Sequence, residues 1–186
     1  ITSMTACGGS DSDSNYSNNN TDGTPATVES GVEFTDVSEL LAPWVKGRGE
    51  GYGGIAWLDY DLDDDLDMML TNSKTFPNAL MRNNGDGTFT DVTEGANALV
   101  TTGNSGIVVG DIDNDGYPDI FMSGEGFFSG PEQSQTVLLH NQGDGTFEDI
   151  APTAGVPGAE TALSAAMADI NNDGYIDLFV TAEGHL

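Results

Sequence analysis

Apolar residues along this chain come in runs of three or four between turn residues, without the spacing of an amphipathic helix. Ile55-Ala56-Trp57-Leu58, Ile107-Val108-Val109 and Ala165-Ala166-Met167-Ala168 form one set, and Met68-Met69-Leu70, Ile120-Phe121-Met122 and Leu178-Phe179-Val180 a second. Runs this short, bounded by Gly, Asn and Asp, predict strands buried on both faces. Ala79-Leu80-Met81 and Val137-Leu138-Leu139 predict a third strand, and residues 88–92 and 146–150 a fourth. Between the third and fourth stand Asn84-Gly85-Asp86-Gly87 and Gln142-Gly143-Asp144-Gly145, whose glycines supply the positive φ of a tight hairpin. Four antiparallel strands per unit make a propeller blade, so the pattern predicts an all-β fold of two complete blades and a partial third.

The unit repeats. Three acidic segments align without gaps, at residues 59–67, 111–119 and 169–177, with starts 52 and 58 residues apart. Each joins the first apolar run of a unit to the second. Oxygen-bearing residues at positions 1, 3, 5 and 9 let such a loop wrap one hard cation. These are Asp59, Asp61, Asp63 and Asp67, then Asp111, Asp113, Asp115 and Asp119, then Asp169, Asn171, Asp173 and Asp177. The carbonyls of Asp65, Tyr117 and Tyr175 stand where a backbone ligand is expected. Calcium takes six to eight oxygens at flexible angles, whereas magnesium demands a stricter octahedron, so the expected cofactor is Ca2+ at up to three sites. An EF-hand or dockerin shares the opening of this pattern, but an EF-hand needs Glu at position 12, where Leu70, Met122 and Val180 stand. Position 6 is Gly116 and Gly174 in two copies but Asp64 in the first, which places a left-handed backbone on a non-Gly residue.

Charge strengthens this reading. The 186 residues carry 31 Asp and Glu against 4 Lys and Arg, a net charge of −27. Thirteen of the acidic residues fall in the three loops, a crowding that bound divalent ions would offset. The same charge makes nucleic acid and anionic lipid poor partners. One cysteine excludes an internal disulfide framework, and two histidines leave a nucleophilic triad almost without candidates. His140 occupies the repeat position of Arg82 and reads as a polar strand-end residue. Trp57 is expected to pack within its strand, with stacking on a sugar as the other use of an exposed indole; Trp44 stays open between them.

Residues 1–30 differ from the rest. Apart from Tyr16, residues 8–24 are all Gly, Ser, Asp, Asn or Thr, too polar to bury a core, and read as a disordered tether. Met4-Thr5-Ala6-Cys7 followed by Gly8-Gly9-Ser10 resembles a bacterial lipoprotein cleavage box, which would make Cys7 the lipidated first residue of an exported protein. The repeats are assigned to residues 31–186. Within them Glu33-Phe34-Thr35-Asp36-Val37 repeats the tail of the fourth strand, and is expected to complete a blade.

The order of F-T-D-V, an apolar strand, D-x-D-x-D-G-x-x-D and N-x-G-D-G-T-F resembles the FG-GAP (VCBS) repeat, most closely that of bacterial cartilage-acidic-protein-like (ASPIC/UnbV-associated) proteins. The resemblance implies a calcium-binding β-propeller, secreted or surface-attached, without catalysis of its own. The expected function is an interaction or adhesion module whose partner is a protein or glycan. It meets a membrane only through a lipid on Cys7, and lies at the bacterial outer membrane, periplasm or cell surface. The alternative is the propeller of a secreted carbohydrate-active enzyme such as a polysaccharide lyase, which would need a polar cleft; the cations here are only Lys46, Arg48, Lys74 and Arg82.

Overall fold

The structure, a computed structural model, describes residues 26–27, 33–34, 53–72, 77–124, 135–156 and 162–182. The chain divides into two compact units, Ile1–Glu50 and Gly51–Leu186. Cys7, the polar run 8–24, Trp44, Lys46, Arg48, Lys74 and His185 lie outside the described residues.

In the first unit, β1 (Ala26–Thr27) pairs antiparallel with β2 (Glu33–Phe34), Ala26 opposite Phe34. β1 falls inside the segment assigned to the tether, and β2 is the start of the strand-like repeat tail. Its partner here is the two-residue β1.

In the second unit the sequence pattern becomes three antiparallel sheets. The first is ordered β3 (Ile55–Leu58), β4 (Asp67–Leu70), β5 (Ala79–Asn83), β6 (Phe89–Asp91). The second repeats it with β7 (Asn104–Gly110), β8 (Asp119–Gly124), β9 (Val137–Asn141) and β10 (Phe147–Asp149). The third has β11 (Ala162–Ala168) and β12 (Asp177–Ala182). There is no helix among the described residues. Each acidic segment bridges the first two strands of a sheet, and each Asn/Gln-x-Gly turn the last two. β7 and β11 exceed the apolar runs that predict them, because Asn104 pairs with Gly124 beyond an irregularity between Asn104 and Ile107, and Ala162 with Ala182 beyond one between Ala162 and Ser164.

The sheets stack through alternate side chains, as the period of two along a strand requires. Met69 and its cross-strand partner Leu80 face the second sheet, where Ile120, Met122, Val137 and Leu139 meet them. The opposite parity, Phe121 with its partner Leu138, packs on Ala165, Met167, Leu178 and Val180 of the third sheet. One central sheet is thus buried on both sides. Backbone bonds reinforce the first contact: Phe147 N–H donates to Ala96 O at 2.9 Å, and Asn97 Nδ2 to Phe147 O at 2.8 Å. At the two ends of the stack the equivalent positions are open, with Phe179 62% and Trp57 42% exposed. Trp57 does pack within its own sheet, its ring 6.3 Å from that of Phe89.

Candidate metal centre

The three acidic loops share one hydrogen-bond scheme. In each, the position 1 carboxylate accepts the N–H groups of positions 5 and 6: Asp59 those of Asp63 and Asp64, Asp111 those of Asp115 and Gly116, Asp169 those of Asp173 and Gly174. The position 5 carboxylate accepts from position 7, Asp63 from Asp65, Asp115 from Tyr117 and Asp173 from Tyr175, each at 2.9 Å. These contacts curl the loop so that alternate carboxylates converge.

Position 9 works differently. Asp67 and Asp119 are wholly buried, and each clamps its loop to the sheet. One oxygen takes the N–H of position 2, from Tyr60 at 3.1 Å and Ile112 at 2.9 Å. The other takes the N–H that ends the third strand, from Asn83 and Asn141, both at 2.8 Å. Asp177 keeps the first bond, from Ile170 at 3.0 Å. Burial pushes the Asp67 carboxyl up to about 6 against the pull of those two amides, and raises that of Asp119 in the same way.

The structure brings positions 1, 3 and 9 together. Oxygens of Asp59, Asp61 and Asp67 lie within 4.8 Å of one another, as do those of Asp111, Asp113 and Asp119. Asp63 and Asp115 lie outside these two groups and turn to the position 7 amides instead. In the third loop Asn171 presents its amide oxygen to the N–H of Asp173 at 2.8 Å. Asp61 Oδ1 is buried and accepts no hydrogen bond. Burial, then the charges of Asp63 and Asp59, raise the Asp61 carboxyl, while Arg82 lowers it.

The backbone of the loop has two left-handed residues rather than one. Asp64, Gly116 and Gly174 have φ of 71, 94 and 91°, as position 6 predicts, but position 4 is also left-handed, at Leu62 (56°), Asn114 (62°) and Asn172 (58°). Two copies signal it with Asn, which tolerates this region; Leu62 does not and hides the pattern. Leu62 is half-exposed, so replacing it removes little packing. Leu62→Asn is expected to stabilise the protein by about 1 kcal/mol, a rise in melting temperature of about 2–4 °C by calorimetry. An unchanged or lower melt would show that the loop carries no strain there.

The hairpin turn abuts the loop. Gly143 has φ 71°, and a Cβ there would lie 2.9 Å from the Tyr117 ring; at Gly85 it would lie 2.9 Å from Asp65 Oδ2. The first glycine of N-x-G-D-G-T-F is therefore both a turn residue and the seat for the position 7 side chain. Asp86 and Asp144 fix these turns by accepting the N–H and hydroxyl of Thr88 and Thr146, which lowers both carboxyls.

Stacked four-stranded antiparallel sheets, each with an Asp-rich loop between its first two strands, define a propeller-type repeat protein. The chain belongs to the FG-GAP-like repeat family, whose profile matches residues 59–122 and 127–180. It is similar to cartilage acidic protein 1 of Xenopus tropicalis, 42% identical over 78 residues, which are 41% of this chain and 11% of that protein. It is also similar to cartilage acidic protein 1 of Homo sapiens, 39% identical over 89 residues, 47% of this chain and 12% of that protein. The match to the Mus musculus protein is 38% identical over the same length, so the chain spans 11 to 13% of these curated relatives.

Proposed function

We propose that this chain is a calcium-binding β-propeller repeat module of an exported, lipid-anchored protein, and that it serves interaction or adhesion rather than catalysis. The observation that carries the calcium reading is Asp61 Oδ1, a buried acceptor with no donor, in a loop whose other convergent groups are also carboxylates. An all-oxygen donor set suits a hard cation, and a cation beside Asp59, Asp61 and Asp67 would offset their repulsion and satisfy that oxygen. Asp111, Asp113 and Asp119 would hold a second ion and Asp169, Asn171 and Asp177, at the same positions of the third loop, a third. Bound calcium supplies charge neutralisation; the carboxylates of position 9 already tie each complete loop to the third strand. Ordered loops on one edge of the stack then present a fixed surface to a protein or glycan partner.

A calcium titration of the melt, against a chelated control, tests this. A ligand that binds only the folded state stabilises it by about 2.7 kcal/mol per site at a hundredfold excess over Kd. One filled loop is therefore expected to raise the melting temperature by about 5–11 °C. A superimposable melt with no heat of binding in calorimetry would reduce the loops to acidic turns.

Export and anchoring rest on Cys7 and the polar run that follows it. In a bacterial host that processes lipoproteins, Cys7→Ser in the precursor is expected to shift the protein from the membrane fraction to the soluble extracytoplasmic one. Equal partition of both forms would remove the anchor.

A further inference from the structure

We propose that the second loop carries an additional metal site, in which His140 and the outer carboxylate oxygens of Asp113 and Asp115 hold a transition ion of the zinc class. Its donors come from two parts of the fold. Asp113 and Asp115 belong to the loop, whereas His140 arrives on β9, the third strand of the sheet. His140 Nε2 lies 2.9 Å from Asp113 Oδ2 and 3.9 Å from Asp115 Oδ2, and the three donor atoms lie within 4.8 Å of one another. Metal–ligand bonds of about 2.1 Å place neighbouring donors about 3.0–3.4 Å apart, so the His140–Asp113 separation already fits one ion and the exposed Asp115 carboxylate has to move inward to join it.

An imidazole nitrogen distinguishes this group from the oxygen cages. Calcium takes oxygen ligands, while imidazole with carboxylate suits zinc, cobalt and their neighbours. His140 is also held in place: Gln142 Nε2 lies 2.8 Å from its Nδ1. In the metal-bound form the neutral ring takes its other tautomer, its single proton on Nδ1 and the Nε2 lone pair free for the ion, and the Gln142 amide turns so that its oxygen accepts from Nδ1, the orientation that ligating histidines usually have.

Comparison between blades explains why the site belongs to the second loop. Arg82 occupies the same place in β5, opposite Thr90 as His140 is opposite Glu148. A guanidinium never loses its proton and cannot ligate, so the first loop has a built-in cation that lowers the Asp61 carboxyl. The second loop has in its place a group able to bind one. Directly across the ladder, Glu148 lies on the same sheet face as His140, a further carboxylate at the edge of the site. The side chains of Asp113, Asp115 and His140 are 48%, 36% and 21% exposed, which leaves room for water to complete the coordination.

The test is zinc calorimetry and cobalt absorption on the chain with Cys7→Ser, to remove the thiol, in saturating calcium. One equivalent of Zn2+ is expected, with Co2+ giving visible bands of a nitrogen-containing site. Affinity should fall at least tenfold in His140→Ala and in Asp115→Asn, with the calcium-dependent melt retained in His140→Ala. Zinc binding of equal strength in His140→Ala would overturn the site, and so would loss of all zinc on adding calcium, which would place the ion in the oxygen cage. Should His140→Ala fail to fold, the ring nitrogen signals of the parent decide. A shift of the His140 Nε2 resonance on adding Zn2+ supports the site and an unmoved one refutes it.

Discussion

Phe121→Ala is expected to destabilise the protein by about 4 kcal/mol, the usual loss for a large aromatic cut from a core. Phe121 is fully buried, and with Leu138 it supplies the second sheet's side of the contact with Ala165, Met167, Leu178 and Val180. Phe179 is the internal control. It occupies the same place in its own repeat but is 62% exposed, and its truncation removes little buried area. Thermal melts should fall by about 8–16 °C for Phe121→Ala and by under about 2 °C for Phe179→Ala. Equal, small shifts would show that the second and third sheets do not pack as described.

Asp119→Ala should cost about 3 kcal/mol in chelator, where no ion contributes. Its removal leaves the N–H groups of Ile112 and Asn141 without their acceptor, at roughly 2 kcal/mol each, offset by about 1 kcal/mol because the cost of burying the carboxylate disappears with it. Asp177→Ala loses a single exposed bond and should cost about 1 kcal/mol. Urea unfolding of the two variants separates a clamp from a mere ligand. If both lose the same small amount without metal, the position 9 aspartate has no role in holding the loop to the third strand.

The clamp also marks where sequence reading ended. Strands β4, β5, β8 and β9 were legible because short apolar runs between turn residues have one economical use, burial on both faces. The loops were legible because their carboxylates recur at fixed spacing. Asp67 and Asp119 were read as ligands, and they do lie beside positions 1 and 3, but their bonds to Asn83 and Asn141 were hidden. No local pattern states that the end of a third strand returns to a loop sixteen or more residues earlier. Recurrence of Asn at 83 and 141 was the available signal. The left-handed position 4 was masked by Leu62, since two Asn in three copies looked like composition. β1 escaped because two residues, Ala26 and Thr27, have no periodicity to read. His140 was placed correctly at a strand end, while its contact with Asp113 depends on sheet register, which apolar runs alone do not fix.

Two bonds between repeats bear on how the loops open. Asn141 Nδ2 reaches back to Tyr60 O in the first loop at 2.8 Å, and Asn114 Nδ2 reaches forward to Gly174 O in the third at 2.7 Å. Each loop therefore contributes an acceptor or a donor to a neighbour's lattice. Local fluctuation in such an arrangement is shared: fraying of the third loop strips Asn114 of its partner, and fraying of the end of β9, which Asp119 ties to the second loop, releases Tyr60. Amide exchange along this edge should follow one opening event across all three loops and the hairpin turns clamped to them, so that the rim behaves as a single foldon.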